Sequence, residues 1–331
     1  MDHRILIIGV GSIGKRHTRC FLETGRARVA ICEMNSPLRD AVGGEYDIDE
    51  RFGDLDAALS AAPFDGAVIC TPAHLHIAMA RRLVDSGAHV LIEKPLSTSP
   101  DGIDALRSAA AAASRTVSVA YVSRLHPSLN AMKAAIDSGR FGAPVQVVYH
   151  GGQHFPTYRP AYREIYYTKH ETGGGAIQDA ITHVMNTSEW LVGPIDRLVA
   201  DADHKVLEGV DVEDTVHILT RHRNGVMGSF TLNQHQSPNE GTLTVVCERG
   251  VARFEAHRAR WRWHTEPESP WRDEPAGDTP RDALFVSQAH AFLDAIEGKG
   301  EPSCSLDDGE QTLRVNLAAL ASWRSRAWEE V

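Results

Sequence analysis

A glycine-rich turn lies close to the start of the chain. The run Gly9-Val10-Gly11-Ser12-Ile13-Gly14 directly follows a strand-like apolar segment and precedes a segment with helical spacing. In such a turn the first glycine permits a tight bend, the second lets a pyrophosphate approach the backbone, and the third allows the helix to pack against the strand. Phosphate groups also bind favourably at a helix N-terminus. The spacing therefore predicts a dinucleotide site, rather than a purely structural turn, formed by Gly9, Gly11, Ser12, Ile13 and Gly14.

An acidic residue follows this turn at the end of the next predicted strand. Glu33 can accept hydrogen bonds from the hydroxyls of an adenosine ribose, and its charge would repel a 2′-phosphate. The next residues, Met34-Asn35-Ser36, include no arginine, and the nearest arginine downstream is Arg39. The sequence therefore predicts NAD rather than NADP, against the alternative that Glu33 is a solvated residue at a strand end.

Two further groups of polar residues could move protons or hold charge. Glu93-Lys94-Pro95 follows the predicted strand His89–Ile92 at its carboxyl end, where ligands bind in open α/β sheets and where a lysine can stabilise a developing alkoxide. The second group follows Gly173-Gly174-Gly175, on a predicted helix. Asp179 and His183 are four residues apart on one face of that helix. A histidine there can transfer a proton near neutral pH. On spacing alone, a surface lysine and an exposed hydrogen-bonded pair remain the alternatives.

The elements that must position these residues follow two patterns. The first third of the chain alternates β-branched runs with amphipathic helical segments, which is typical of βαβ units. Its predicted strands are Arg4–Val10, Arg28–Glu33, Gly66–Thr71, His89–Ile92 and Thr116–Tyr121. Later segments predict helices at Ser128–Ser138 and Ala176–Val192, successive antiparallel strands up to His264, and two closing helices. The predicted fold class is α/β. An N-terminal Rossmann domain with a doubly wound parallel sheet spans residues 1–121, and a C-terminal α/β domain with a large, open, mostly antiparallel sheet spans residues 122–331.

Composition excludes several classes of protein. The 331 residues include 34 Lys and Arg against 44 Asp and Glu, for a net charge of −10, which argues against a nucleic-acid partner. The five cysteines form no C-x-x-C pair, and this favours a reducing, cytoplasmic location. We expect no secretion signal or membrane anchor. The sequence has no H-E-x-x-H, and His74-Leu75-His76 alternates, so we expect no catalytic metal.

Taken together, these motifs resemble the Gfo/Idh/MocA oxidoreductase family. The similarity extends over nearly the whole chain and rests on the motifs above, on Thr71-Pro72 with His76, on Arg124 with His126-Pro127, and on the C-terminal Leu306-x-Asp308-Gly309. It implies a nicotinamide bound at the cleft between two domains. It also implies that Lys94, Asp179 and His183 form the catalytic group, and that Thr71, His76, Glu93 and Lys94 join the glycine turn and Glu33 in binding NAD. Asn186 departs from the family pattern, where a carboxylate often stands, and so does Val122, where a polar residue is frequent.

A loop rich in His, Tyr and Arg runs from His150 to His170. Aromatic rings and guanidinium groups suit a hydroxylated ring or a carboxylate. We expect a substrate site formed by Arg124, His154, Tyr158 and Arg163, against the alternative of an ordered surface loop that packs its tyrosines.

The resemblance also bears on activity and assembly. It implies an NAD-dependent dehydrogenase that oxidises a secondary hydroxyl of a small carbohydrate, such as a sugar, an inositol or a sugar derivative. The alternatives are an NAD-using glycosidase or lyase with transient oxidation and a ligand-sensing regulator without turnover. A homodimer or homotetramer is expected, because the family's second sheet packs against another subunit.

Overall fold

Six parallel strands form the sheet of the N-terminal unit in the computed structural model, which describes residues 2–61, 63–274, 280 and 282–331. The strands are β1 His3–Ile8, β2 Ala27–Cys32, β3 Arg51–Phe52, β4 Gly66–Ile69, β5 His89–Ile92 and β6 Val117–Val119. The helices between them are α1 Ser12–Glu23, α2 Ser36–Glu45, α3 Leu55–Ala61, α4 His76–Asp85 and α5 Ile103–Ala113. The strand order β3-β2-β1-β4-β5-β6 is that of dinucleotide-binding sheets. The predicted doubly wound sheet is confirmed.

The sequence patterns of this unit explain most of its elements. Ile5, Leu6 and Ile7 of β1 have no exposed surface, as expected of a central parallel strand buried on both faces. Gly25 and Gly87 follow α1 and α4 with φ of 62° and 91°, which is the left-handed conformation that ends a helix. The sequence analysis missed α2 and β3. Helix α2 contains a proline and two glycines, so its helical periodicity is weak, and β3 has only two residues.

The chain then builds a second group of elements. In chain order these are α6 Pro127–Asp137, β7 Pro144–His154, α7 Phe155–Tyr158, a π-helical segment Ala176–Ile181, α8 Thr182–Val192, β8 Ile195–Asp203, β9 Thr215–His222, β10 Met227–Asn233, β11 His235–Cys247, β12 Gly250–Glu255, β13 Arg260–His264 and β14 Arg272–Glu274. The closing elements are α9 Ala283–Ile296, α10 Leu306–Ser325 and β15 Glu329–Glu330. None of the helices that the structure describes is long and apolar enough to cross a bilayer.

A nine-stranded sheet dominates this part of the chain. Its order is β14-β13-β12-β11-β7-β10-β9-β8-β15. Neighbouring strands are antiparallel except for β7 and β10, which are parallel. One face carries the hydrophobic core, with Val216, Ile218 and Phe230 buried, while Leu219 and Met227 lie exposed on the other face. The predicted large, mostly antiparallel sheet is confirmed.

The division of the chain into compact units differs from the predicted boundary in one respect. The first unit comprises Met1–Val122 and Pro280–Glu310, and the second comprises Ser123–Thr279 and Gln311–Val331. Helix α9, which the sequence analysis placed in the second domain, packs on α1, and the rings of Phe292 and Phe21 meet edge to face at 6.1 Å. Helical periodicity shows that one face of a helix is buried, but it does not show which sheet buries that face.

Candidate active site

The glycine turn has the shape that a dinucleotide requires. Gly9 has a φ of 81°, and a Cβ atom on it would lie 3.0 Å from the Cys70 carbonyl oxygen. A Cβ atom on Gly14 would overlap the carbonyl oxygen of Gly9, so α1 packs directly on the turn. A Cβ atom on Gly11 would meet nothing within 4 Å. Gly11 is the exposed N-cap of α1 and provides no side chain to its first-turn amides. This open helix N-terminus fits a pyrophosphate, with Ser12 and Ile13 in the first turn.

Glu33 lies beside the same turn at the end of β2. Its carboxylate accepts hydrogen bonds from the backbone N–H of Val10, with an N–O distance of 3.1 Å, and from that of Asn35 at 2.9 Å. These contacts hold a negative charge where an adenosine ribose would bind in a Rossmann fold. Arg39 also reaches this position, because its Nη1 donates to the Glu33 carbonyl oxygen at 3.1 Å. The position of Arg39 six residues after Glu33 did not predict this contact.

His76 is buried between two loops at the carboxyl ends of the strands. Its Nε2 lies 2.7 Å from the Thr71 carbonyl oxygen and its Nδ1 lies 3.1 Å from that of Pro95. Burial lowers the pKa of this histidine, and a neutral imidazole donates only one hydrogen bond, so it donates to one of these two oxygens at a time. The ring of His76 packs between the loop after β4 and the turn after β5. Its predicted contact with the cofactor, like that of Thr71, stays a prediction.

Glu93 connects Lys94 to helix α1 through a residue that the sequence analysis missed. The side chain of His17 is fully buried on α1, and its Nε2 lies 2.7 Å from Glu93 Oε1. The Lys94 backbone N–H donates to Glu93 Oε2 at 3.1 Å. Burial alone would raise the pKa of Glu93, but His17 and Lys94 together lower it below its ordinary value. Lys94 itself is half-buried at the carboxyl end of β5. The only sequence signal for His17 was its position three residues after Gly14.

The helix that carries Asp179 and His183 begins as a π-helix and continues as an α-helix. The sequence predicted one continuous helix over Ala176–Val192, but its first six residues form a π-helix that carries Asp179, and α8 then carries His183. Both side chains are half-buried. Short π-helical segments occur frequently at functional sites. The hydrophobic spacing that marks a helix does not distinguish one extra residue in a turn, so this feature could not be predicted.

The glycines before this helix make room for a buried carboxylate. Glu213 has no exposed surface and accepts from the Ile177 backbone N–H at 2.7 Å, while His170 Nε2 lies 2.6 Å from its other oxygen. Gly175 has a φ of 86°, and a Cβ atom on it would lie 2.6 Å from Glu213 Oε1. The absence of a side chain at Gly175 thus leaves room for the carboxylate of Glu213, which fixes the start of the π-helix.

The predicted substrate residues lie in different surroundings. Tyr158 is 46% exposed, and His154 Nδ1 lies 2.7 Å from Thr157 Oγ1. Arg163 donates to the Glu208 carbonyl oxygen at 2.8 Å. Arg124 is buried, and its Nε donates to Asn186 Oδ1 at 2.8 Å.

Asn186 belongs to a buried chain of polar groups. Its Nδ2 donates to Thr312 Oγ1 at 3.0 Å, and Thr312 in turn donates to Glu189 Oε2 at 2.8 Å. Burial raises the pKa of Glu189 to about 7. The departure of Asn186 from the family pattern therefore coincides with a fully buried amide, which joins Arg124 to α10.

Comparisons with known proteins agree with this architecture. Residues 3–121 match the family model described as "Oxidoreductase family, NAD-binding Rossmann fold", and residues 129–253 match "GFO/IDH/MocA C-terminal domain". The chain belongs to the Gfo/Idh/MocA oxidoreductase family. It is an NAD-dependent oxidoreductase, and the residues of its glycine turn fit that cofactor.

Several members of the Gfo/Idh/MocA family are similar over almost their full length. The levoglucosan dehydrogenase of Pseudarthrobacter phenanthrenivorans is 26% identical, over 98% of this chain and 97% of that protein. The inositol 2-dehydrogenase of Rhizobium meliloti is 24% identical, over 97% of each. A levoglucosan dehydrogenase in complex with NADH and levoglucosan superimposes with a TM-score of 0.91 at 22% identity, and all of both chains is covered. The WlbA dehydrogenase of Bordetella pertussis, in complex with NADH and UDP-GlcNAcA, gives a TM-score of 0.86 at 25% identity, over 100% of this chain and 99% of that one.

Proposed function

We propose that the protein is an NAD-dependent dehydrogenase that oxidises a secondary hydroxyl of a sugar, an inositol or a related sugar derivative. The observation that carries this proposal is a Rossmann unit that fits NAD, in a chain that also has Lys94 just after β5 and has Asp179 and His183 one turn apart on the π-helical segment and α8. Two relatives that align over nearly the whole chain are named for dehydrogenation of levoglucosan and of inositol.

Each of the three polar residues has a distinct part in this proposal. When bound, NAD supplies the acceptor for the hydride that leaves the carbinol carbon. His183 accepts the hydroxyl proton, because imidazole binds protons near neutral pH. The ammonium group of Lys94 stabilises negative charge on the same oxygen. Asp179, one turn before His183, favours the protonated imidazole or adjusts the charge of the lysine.

The proposed substrate contacts differ in how free they are to rearrange. Tyr158 and His154 are exposed, whereas Arg163, although also exposed, donates to Glu208 and buried Arg124 donates to Asn186. We therefore assign direct recognition of substrate hydroxyls first to Tyr158 and His154. The two arginines would contribute positive charge while they keep their contacts within the protein.

The exposed face of the large sheet supports a proposed homodimer or homotetramer. Leu219 and Met227 are 52% and 48% exposed on neighbouring strands β9 and β10, and apolar side chains in such a patch suit a subunit interface. Light scattering at micromolar concentration should give a dimeric or tetrameric mass. Leu219→Arg should reduce that mass, whereas Val206→Arg, at an exposed position outside the strands, should not. A monomeric native protein would contradict the proposal.

The proposed reaction can be tested with purified protein and a panel of cyclitols, anhydrosugars, aldoses and sugar acids. Formation of reduced nicotinamide is followed by its absorbance, and products are identified in parallel. We expect at least one member of the panel to be oxidised with stoichiometric NAD reduction, and His183→Ala to lower the rate of that signal by roughly 10² to 10⁴. Glycoside cleavage without net reduction would favour the lyase alternative. Binding of panel compounds without any turnover would favour the regulator.

A further inference from the structure

The hydroxyl group of Tyr166 contacts the candidate catalytic carboxylate directly. It donates to Asp179 Oδ1 with an O–O distance of 2.7 Å, across 13 residues of sequence. Hydrogen bonds to an ionised carboxylate are short and roughly twice as strong as those between neutral groups. The sequence analysis described the loop from His150 to His170, which contains Tyr166, and gave this tyrosine no role.

The loop around Tyr166 is anchored on both sides. The hydroxyl of Thr172 donates to the Tyr166 carbonyl oxygen at 2.6 Å. The next residue, Tyr167, is fully buried, and its ring lies 4.6 Å from that of Phe155. Gly174 closes the other side, because a Cβ atom there would overlap the Tyr167 carbonyl oxygen. The backbone at Tyr166 is therefore fixed, although its side chain is 40% exposed.

The partner of this hydrogen bond lies on a segment that is also held in place. Asp179 lies in the π-helical segment whose start is held by the bond from the Ile177 N–H to Glu213. Glu213 also holds His170 of the loop, and Gln178 Nε2 donates to the His170 carbonyl oxygen at 3.0 Å. The loop of Tyr166 and the segment of Asp179 are thus anchored to each other as well as by the hydrogen bond from Tyr166 to Asp179. Such a bond restricts the rotamer of the carboxylate without requiring either backbone to adjust.

We propose that Tyr166 is a positioning residue that holds the Asp179 carboxylate in its active orientation. This inference rests on the proposed function, in which Asp179 acts on His183 or on Lys94. Tyr166 acts through Asp179 and takes no proton from the substrate itself. Loss of its hydroxyl should therefore slow turnover and leave NAD binding intact.

The test compares two tyrosines of the same loop. Tyr166→Phe removes the hydroxyl that contacts Asp179, and the matched control Tyr162→Phe removes one that donates to the Glu208 backbone at 2.7 Å. With levoglucosan and myo-inositol as probes, we expect Tyr166→Phe to lower kcat roughly 10-fold with an unchanged NAD dissociation constant. Tyr162→Phe should retain kcat, and any effect through Arg163, whose Nε donates to the same hydroxyl at 3.1 Å, should appear in KM. A double-mutant cycle adds Asp179→Ala, in whose background Tyr166→Phe should have almost no further effect.

A spectroscopic measurement makes the test independent of turnover. The ¹³Cγ resonance of Asp179, assigned by its absence from Asp179→Ala, should shift in Tyr166→Phe and stay in place in Tyr162→Phe. An unshifted resonance, or the same loss of kcat with and without Asp179, would overturn the proposal. Normal turnover in Tyr166→Phe together with lost turnover in Asp179→Ala would overturn this inference and leave the proposed function standing. Normal turnover in Asp179→Ala would overturn both the role of Asp179 and this inference.

Discussion

The two compact units position their polar residues by different means. In the first unit, the glycine turn, Glu33 and Lys94 lie at strand ends or helix starts, so backbone geometry places them. In the second unit, the segments that carry Asp179 and His183 are held by side chains distant in the sequence, such as Glu213, which accepts from the Ile177 N–H, and Arg124, which donates to Asn186 on α8. A short motif can specify the first arrangement, whereas the second requires residues spread from Arg124 to Glu213.

The largest predicted effect concerns one residue from each unit, Lys94 from the first and His183 from the second. Lys94→Ala and His183→Ala should each lower kcat by roughly 10² to 10⁴ while the NAD dissociation constant changes little, because in the proposed reaction each removes a group that acts on the reacting hydroxyl. Steady-state kinetics and a cofactor titration measure the two quantities. Lys299→Ala and His257→Ala remove an exposed residue of the same type from each unit and serve as controls. A loss of kcat that merely follows weakened NAD binding would remove that residue from the chemistry.

Adding one methyl group should break the backbone-based arrangement. Gly14→Ala would force the turn away from α1, and we expect it to destabilise the protein by about 2–4 kcal/mol, an effect typical of overpacking and strain. Gly11→Ala faces open space and should keep the melting temperature while it weakens NAD binding about 10-fold or more. Gly44→Ala, at a helical position without neighbours within 4 Å, should be neutral or slightly stabilising. Equal melting temperatures for the Gly14 and Gly44 variants would contradict this prediction.

The two units also contain buried glutamates that should respond to pH in opposite ways. The pKa of Glu189 is about 7 in the folded protein, so its stabilising protonation is complete below its unfolded pKa and is lost as the pH rises towards 8. That loss is about 3 kcal/mol. The pKa of Glu93 is lowered, so its contribution is present above its unfolded pKa and is lost as the pH falls through its folded pKa.

Glutamine variants separate these two contributions. Relative to the native protein, Glu189→Gln should gain thermal stability between pH 5 and pH 8, because the amide has the shape of the protonated acid. Glu93→Gln should show its greatest deficit above pH 5 and lose that deficit in acid. Melting temperatures measured in matched buffers from about pH 3 to pH 8 test both expectations. If the melting temperatures of both variants, relative to the native protein, changed with pH in the same direction, the opposite pKa shifts of Glu189 and Glu93 would be contradicted.

The smallest predicted effect concerns the choice of cofactor. Glu33→Ala should narrow the preference for NAD over NADP by about 1–3 kcal/mol, since the carboxylate no longer opposes a 2′-phosphate. Arg39 is already at this position and should provide a favourable charge in the variant. Titration of both cofactors with Glu33→Ala and with Glu33→Ala/Arg39→Ala measures the two contributions separately. If the native protein bound NADP more tightly than NAD, the prediction that Glu33 excludes the 2′-phosphate would be wrong.

The sequence was sufficient where a feature depends on neighbours along the chain. The parallel sheet, the glycine turn and the helix that carries His183 all follow from short-range spacing. The partners His17, Glu213 and Tyr166 did not follow from it, because each is defined by a contact across 13 to 76 residues. The π-helical segment Ala176–Ile181 before α8 could not be predicted from the sequence either. One residue added to a turn leaves the apolar pattern almost unchanged.

The return of α9 to the first unit has a consequence for synthesis. During translation, β1 to β6 and their helices emerge as a contiguous stretch, yet the apolar surface around Phe21 stays uncovered until Phe292 has been made. The larger part of the second unit, Ser123–Thr279, is synthesised in that interval. A fragment that ends at residue 121 therefore exposes part of its own core to water. The nascent chain likewise has an exposed, aggregation-prone apolar surface while more than 150 further residues are added.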